Sequence, residues 1–255
     1  MHIAVVVKQV PDLVEELEID SGGKDIDRSF VKMKINEFDD HALEQAVLLK
    51  ESNAANVTAV AVGVEGIDQV LYAARARGAD RLVKVEAGDE LLDSRRAAGA
   101  IAEAIKQVNP DLVLTGVQAA DDLFGQTAPF LAAALGWPHV SVVSGVEIAG
   151  DKVRVHQEYA GGRTAILEVD LPAVIGVQAA PQPPRYVPVT KLRQAMASGA
   201  LESVVATAAA SAGGVAVVAV AKPEAGKGAE MLNGSAAEVA DRVAALLGER
   251  GLVRG

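Results

Sequence analysis

Short runs of β-branched and other apolar residues alternate with longer amphipathic segments along the first half of this 255-residue chain. The apolar runs predict strands at residues 3–7, 57–62, 82–85 and 112–115. Helical spacing of apolar residues predicts helices at residues 39–51, 67–77, 93–107 and 124–135. Because parallel strands are joined through a crossover helix, this order predicts an α/β fold with a doubly wound, mostly parallel sheet.

The pattern changes after residue 136, where alternation of apolar and polar residues replaces helical spacing. Two alternating segments, 153–158 and 165–169, flank Ala160-Gly161-Gly162-Arg163, whose glycines permit the positive φ angles of a tight turn. A hairpin is therefore expected here, followed by a strand at 171–177. The expected fold is a Rossmann-like nucleotide-binding sheet with an added β-hairpin region and an extended C-terminal arm.

A proline-rich stretch at residues 181–186 divides the chain, because prolines lack an N–H donor and hold the preceding residue in extended geometry. Residues 1–183 are therefore expected to form the α/β domain, including the hairpin. Residues 201–255 form a tail low in aromatic residues, with a strand expected at 215–219 and an amphipathic helix at 236–247. Such a tail buries little apolar surface by itself, so we expect it to pack on a permanent partner.

Composition excludes several classes of function. Acidic residues outnumber basic ones by 34 to 24, and the resulting net charge of −10 disfavours nucleic acid or an anionic membrane as the main partner. The chain has no cysteine, which excludes disulfides, thiolate metal sites and thiol catalysis. Residues 1–8 lack the features of a signal peptide, and no apolar run predicts a membrane span, so a cytoplasmic location is expected.

No catalytic centre is indicated by the sequence. The histidines His2, His41, His139 and His156 show no metal-ligand spacing, and no nucleophile elbow, Walker A loop or Gly-x-Gly-x-x-Gly motif is present. We therefore expect neither a metal site nor catalytic residues that belong to this chain.

Ser21-Gly22-Gly23-Lys24-Asp25 resembles a catalytic motif, the pyrophosphate loop of ATP pyrophosphatases. In that loop a buried strand leads directly into glycine-rich backbone and a helix N-terminus, where phosphate binds. Here the preceding residues 15–20 alternate in polarity, and no helical pattern follows. The alternative is a hairpin turn between residues 17–19 and 25–27, which we favour.

The loop over residues 116–127 is a candidate nucleotide site, because ligands of open α/β sheets bind at the carboxyl ends of strands. Gly125-Gln126-Thr127 combines a glycine, which lets backbone approach an anion, with N–H groups at a predicted helix start. Asp121 and Asp122 are placed to accept hydrogen bonds from a ribose or an adenine edge. An ordinary helix N-cap explains the same acidic residues, and the sequence leaves this alternative open.

A second polar loop, Asn36-Glu37-Phe38-Asp39, leads into the first predicted helix. Asn36 and Asp39 fit helix capping. Phe38 is one of only four phenylalanines in the chain, and it either fills a core position or packs on a flat ligand.

Several segments, taken in order, resemble the β subunit of electron transfer flavoproteins from residue 1 to about residue 200. These segments are Val7-Lys8-Gln9-Val10-Pro11-Asp12, Asn36-Glu37-Phe38-Asp39, Arg77-Gly78-Ala79-Asp80-Arg81, residues 116–127, Ala160-Gly161-Gly162, Leu171-Pro172-Ala173-Val174 and Pro184-Arg185-Tyr186. Each motif alone is weak, whereas the whole set in this order is highly specific.

The resemblance implies a heterodimer in which an α subunit holds a redox FAD, while this chain is an electron carrier subunit that binds AMP as a structural nucleotide. The residues that it places at AMP are Val6, Asn36, Glu37, Phe38, Asp39, Val62, Gly63, Gly116, Gln118, Asp121, Asp122, Gly125, Gln126 and Thr127. It places Leu13 and Phe38 near the FAD of the partner. Electron-bifurcating relatives bind a second FAD instead of AMP, and Gly125-Gln126-Thr127 is more similar to the AMP-binding members.

The resemblance also implies that residues 184–200 form a loop that recognises the flavoprotein dehydrogenase donating electrons, of the amine or the acyl-CoA type. The residues expected to take part are Pro184, Arg185, Tyr186, Val189 and Leu192. Val189 takes the position of the apolar anchor, and residues 201–255 would pack on the α subunit. Two rival functions stay open, an ATP-consuming synthetase that uses residues 21–25 and a single-chain adenine-nucleotide-binding module.

Overall fold

The computed structural model describes residues 1–29, 31–88, 92–122, 125–207, 217–224, 226 and 228–252. Its strands are β1 (His2–Val6), β2 (Gln9–Pro11), β3 (Met33–Ile35), β4 (Asn56–Val62), β5 (Arg81–Glu86), β6 (Leu112–Gly116), β7 (His139–Ala149), β8 (Lys152–Tyr159), β9 (Arg163–Asp170), β10 (Ala173–Val177) and β11 (Glu202–Val205). Its helices are α1 (Glu37–Asn53), α2 (Ile67–Arg77), α3 (Ser94–Val108), α4 (Thr127–Leu135), α5 (Val189–Ala197) and α6 (Ala236–Glu249).

One large sheet organises the described part of the chain, with strand order β11-β5-β4-β1-β6-β10-β7-β8-β9, and β2 pairs with β3 separately. Neighbouring strands from β11 to β7 are parallel, and β8 and β9 continue the sheet antiparallel. The chain extends from β1 toward β4 and β5 on one side and later toward β6 and β10 on the other. The predicted doubly wound, mostly parallel α/β fold is confirmed, and its change of direction places a crevice beyond the carboxyl ends of β1 and β6.

The central strands are apolar throughout because both of their faces are buried. Successive side chains of β1 point to opposite faces, so Ile3 and Val5 join a core that also contains residues of α1 and α2, whereas Ala4 and Val6 join a core with residues of α3 and α4. Every residue of β6 and of β10 is buried. With both faces covered by helices, a ligand reaches the sheet only at the ends of its strands.

The predicted hairpin after residue 136 is confirmed as β8 and β9, which pair over their whole length. A single 3₁₀ turn at Ala160–Gly162 joins them, and Gly161 and Gly162 have φ angles of 75° and 70°. These are the positive φ angles that the two glycines were expected to supply.

Strand β7 is not predicted by the sequence, because a bulge interrupts its alternation. Val142 has a φ angle of 62°, and the pairing of β7 with β8 shifts register between Val143 and Gly145. The register shift lies at the point where the pairing of β7 with β10 ends and its pairing with β8 begins.

The C-terminal third of the chain differs from the prediction in three places. The expected recognition loop over 184–200 contains a helix, α5, and a further edge strand, β11, follows it. Of the strand expected at 215–219, residues 215 and 216 lie outside the described residues, and residues 217–219 are irregular, so that prediction is wrong for the part described.

The last predicted helix is confirmed as α6, which starts with a capping box between Ser235 and Glu238. None of its residues is buried, and its apolar residues Val243, Leu246 and Leu247 are 36–41% exposed. None of the helices among the described residues is long and apolar enough to cross a bilayer.

Candidate functional site

A cavity of about 620 Å³ lies at the carboxyl ends of β1 and β6, where the direction of strand succession reverses. Its walls come from the segments after these two strands, from the end of β4 and from the N-terminal ends of α1, α3 and α4. The volume is in the range of sites for small organic ligands. The crevice that the topology requires is therefore large enough to hold a nucleotide-sized molecule.

Most of the residues predicted for a nucleotide meet at this cavity. Those that line it are Val6, Asn36, Asp39, Val62, Gly116, Gln118, Asp121, Asp122 and Thr127. Those that lie in the same loops but not on its wall are Glu37, Phe38, Gly63, Gly125 and Gln126. Segments far apart in the sequence are thus brought together as the resemblance implied.

The buried carboxyl group of Asp39 joins the two strands that border the cavity. Its Oδ2 accepts a hydrogen bond from the backbone N–H of Lys8 at 2.9 Å, and its Oδ1 accepts one from the N–H of Gly116 at 3.0 Å. Burial raises the pKa of Asp39 to about 7, although hydrogen bonds from Asn36 and from these two N–H groups act in the opposite direction. Asp39 is therefore a cross-link between β1 and β6 rather than a helix cap.

Asn36 is the N-cap residue of α1 by position, but its side chain makes no capping hydrogen bond. Its Nδ2 donates instead to the carbonyl oxygen of Gln118 at 2.8 Å. The capping interpretation of Asn36 is wrong, because the amide is used to connect the start of α1 with the loop after β6.

Gly116 is required where β6 ends against α1. A Cβ atom at this position would overlap Asp39 Oδ1 and would lie 2.7 Å from the Cβ of Phe38 and 2.8 Å from the backbone nitrogen of Asp39. Since backbone and a short buried side chain surround the position, a larger residue has no room without displacing α1.

The two acidic residues of the loop after β6 have partners on opposite walls. Asp121 Oδ1 lies 2.7 Å from the ammonium nitrogen of Lys8, which follows β1. Asp122 Oδ1 accepts a hydrogen bond from the hydroxyl of Ser94, the first residue of α3, at 2.7 Å. These contacts fix the loop over the cavity, and neither Lys8 nor Ser94 is among the site residues predicted from the sequence.

Helix α4 begins at Thr127, three residues later than predicted, with residues 123 and 124 outside the described residues. Its first internal hydrogen bond runs from Phe130 N to Gln126 O, and Gln126 makes no side-chain capping bond. The N–H groups of the first turn therefore have no acceptor within the helix, and with the helix dipole they favour an anion at this end of the cavity.

Phe38 and Leu13, the two residues that the resemblance places near a flavin, are both accessible. Phe38 is half-buried and belongs to neither core, so the interpretation of Phe38 as a core residue is wrong. Leu13 is 60% exposed in the turn between β2 and β3.

The segment Ser21-Gly22-Gly23-Lys24-Asp25 is a hairpin turn, as favoured, and not a pyrophosphate loop. An antiparallel bridge joins Ile19 to Ile26, and Asp20 N donates to Asp25 O at 2.9 Å. Among the described residues around it, no buried strand leads into the segment and no helix directly follows it. The hairpin nevertheless reaches the cavity, because Lys24 and Arg28 line it, which the sequence did not predict.

Arg185, predicted to recognise a partner, contacts helix α1 of its own chain. Its guanidinium group binds the carboxylate of Glu44 at 2.8–3.1 Å and that of Glu51 at 2.7 and 3.2 Å, and its backbone N–H donates to Glu44 at 3.0 Å. Glu44 is only 2% exposed, and these carboxylates raise the pKa of Arg185 further above its usual value. Arg185 therefore positions the segment, whereas Tyr186 and Val189 are 83% and 58% exposed.

Comparisons with known proteins give one consistent family. A family model described as the electron transfer flavoprotein domain matches residues 25–211. An electron transfer flavoprotein subunit beta of Methylophilus methylotrophus is 36% identical over 204 residues, which cover 76% of each chain. The subunit of the same name from Syntrophomonas wolfei is 40% identical over 213 residues, 83% of this chain and 81% of the relative. That of Dictyostelium discoideum is 34% identical over 208 residues, 81% of each.

Replacing Asp39 by Asn should leave the free energy of unfolding within about 1–2 kcal/mol of the wild type near pH 4, because the protonated carboxyl group and the amide each offer one acceptor oxygen and one donor group. As the pH rises from about 4 to about 7, the wild type should lose stability relative to the variant. Asp39 titrates near 3.8 when unfolded and near 7 when folded, so its proton stabilises the fold at low pH and is lost as the pH passes 7. Urea unfolding across this pH range measures the effect, with Asp151→Asn at an exposed turn as control; a pH-independent difference would contradict the assignment.

Replacing Arg185 by Gln should destabilise the protein by about 1–3 kcal/mol, because it leaves the buried Glu44 carboxylate without a cation. The double variant Glu44→Gln/Arg185→Gln should lose less than the single variant, since the unpaired charge is also removed. Equilibrium denaturation measures both, and Arg193→Gln on the exposed face of α5 is the matched control. Equal losses in the single and double variants would show that charge pairing contributes little here.

Proposed function

Because this chain belongs to the β subunits of the electron transfer flavoprotein family, we propose that its cavity between β1 and β6 permanently binds AMP as a structural group. The observation that carries the proposal is the meeting of the 36–39 loop, the 116–122 loop and the start of α4 around one nucleotide-sized cavity at the switch point of the sheet. The nucleotide is scaffolding, and no residue of this chain acts on it chemically.

The described residues fit an adenylate. The open N–H groups at the start of α4, with the hydroxyl of Thr127 on the cavity wall, suit the phosphate. The cavity wall at Val6 and Val62 is apolar and suits a flat base. Asp121 and Asp122 border the remaining part, where a ribose offers hydroxyl donors.

We further propose that the chain forms an obligate heterodimer with an α subunit and helps to enclose the FAD that this subunit mainly holds. The flavin, when bound, accepts and passes on the electrons. Leu13 and Phe38 are the residues of this chain that contribute apolar surface to it, and their exposure in the described chain supports this role. The exposed apolar side of α6 supports packing of the C-terminal arm on the same subunit.

In this proposal, the heterodimer carries electrons in the cytoplasm from a flavoprotein dehydrogenase, of the amine or the acyl-CoA type, to a further acceptor. The dehydrogenase contacts the surface formed by Tyr186, Val189 and Leu192. Helix α5 packs against α2, and the Arg185–Glu44 ion pair fixes the chain just before α5. The exposed side chain of Val189 is therefore held by a rigid part of the fold. A contact with few apolar anchors matches the small interfaces, below about 1,200 Å², of transient redox complexes.

Nucleotide analysis of the co-expressed heterodimer tests the proposal. Acid release followed by mass spectrometry should yield one AMP and one FAD per heterodimer. A second FAD in place of AMP, or a complex without adenine nucleotide other than FAD, would overturn the structural role of AMP. A stable isolated chain that binds AMP reversibly and never associates with a flavoprotein subunit would support a single-chain nucleotide-binding module instead.

Replacing Val189 by Ala should raise the KM of the dehydrogenase for the heterodimer about 3–10-fold, because an apolar anchor loses two methyl groups. FAD and AMP content should stay unchanged, since Val189 is exposed and distant from the cavity wall. Val205→Ala, at a position of β11 that is 80% exposed, is the control. Loss of FAD in the Val189 variant would show that the segment supports the fold rather than docking.

A further inference from the structure

We propose that the hairpin over residues 18–28 is the outer wall of the nucleotide cavity, and that Arg28 and Lys24 on this wall bind the phosphate of the ligand. This inference rests on the proposed function, because it takes the ligand of the cavity to be an adenine nucleotide. It assigns a binding role to a part of the chain that lies outside the Rossmann-like sheet.

The hairpin has a defined geometry that holds both cations toward the cavity. Its two arms are joined by hydrogen bonds from Asp20 N to Asp25 O at 2.9 Å and from Asp27 N to Glu18 O at 2.8 Å. The carboxylate of Asp20 also accepts a hydrogen bond from the backbone N–H of Lys24 at 3.1 Å, which fixes the turn. Lys24 and Arg28 line the same cavity as Thr127 at the start of α4.

The hydrogen-bonding capacity of Arg28 is largely unused. Its Nη2 lies 3.3 Å from Asp25 Oδ2, and its Nη1 makes no hydrogen bond to the residues that the structure describes. The side chain is 34% exposed and lines the cavity, so its terminal nitrogens are within reach of an anionic oxygen there. A planar guanidinium suits a phosphate in particular.

Lys24 is the second cation that the hairpin brings to the cavity. Among the residues that the structure describes, its ammonium group makes neither an ion pair nor a hydrogen bond. Lys8, another cation of the wall, is already paired with Asp121. The hairpin therefore brings two cations, Lys24 and Arg28, to a wall that also includes Lys8 and Arg96.

The C-terminal segment over residues 217–222 holds the hairpin in place from the outside. Val220 N donates to Gly23 O at 2.9 Å, and the ammonium group of Lys222 lies 2.8 Å from Glu18 Oε1. Val217 of the same segment lines the cavity itself. The hairpin is thus held from the outside, as a wall in contact with a bound ligand requires.

The experiment compares AMP with adenosine, which lacks the phosphate. The heterodimer is stripped of its nucleotide and titrated with each ligand, for the wild type and for Arg28→Gln, Lys24→Gln, Arg28→Lys and the exposed control Arg163→Gln. Each Gln variant should bind AMP about 10-fold or more weakly, because a charge-assisted hydrogen bond is lost, while its affinity for adenosine changes less than about 2-fold. Arg28→Lys should retain part of the AMP affinity, and Arg163→Gln all of it.

Two results would overturn the inference. One is unchanged AMP affinity in both Gln variants, and the other is an equal loss of AMP and adenosine affinity, which would make the hairpin a structural support only. FAD content verifies that each variant is assembled, and Arg28→Lys provides the charge-retaining variant should Arg28→Gln fail to assemble. A wild-type heterodimer that binds neither ligand would refute the AMP proposal itself, a result visible before any variant is measured.

Discussion

The hydrogen bonds of the buried Asp39 carboxyl group are the interaction on which the site depends. They run to the N–H groups of Lys8 and Gly116, the residues at which the chain leaves β1 and ends β6. At a topological switch point the connections diverge to opposite sides of the sheet, and the strand ends would otherwise expose unpaired backbone donors. A single carboxyl group satisfies two of these donors and fixes the width of the crevice between them.

Helix α1 connects this crevice with the exposed surface proposed for electron-donor docking. Asp39 in its first turn holds the strand ends, and Glu44 and Glu51 further along the helix hold Arg185. Asp39 and Glu44 are buried and each accepts hydrogen bonds from several donors, the condition under which burial of an acid is tolerated. The cavity and the segment before α5 are therefore fixed relative to one rigid helix, although they lie far apart in the sequence.

The central strands and their helices could be predicted because residues buried on both faces form uninterrupted apolar runs, such as Leu112–Gly116. Strand β7 was missed because the bulge at Val142 breaks its alternation. At the candidate site, residue types that suit phosphate and ribose indicate the loop over 116–127. The sequence does not indicate Lys24, Arg28 or Glu44, because their positions arise from contacts between distant segments, for which neighbouring residues give no signal.

The charge of the chain explains why phosphate-binding cations would come from an added hairpin. The chain has a net charge of −10, and the strand ends at the cavity carry the carboxyl groups of Asp39, Asp121 and Asp122. These carboxyl groups hold the loops in place. The ammonium group of Lys8 beside them already forms an ion pair with Asp121. The dipole of the short helix α4 alone offsets little of this negative field. Two cations from outside the sheet, Lys24 and Arg28, resolve the conflict, since they add positive charge at the ligand without disturbing the carboxyl groups that shape the crevice.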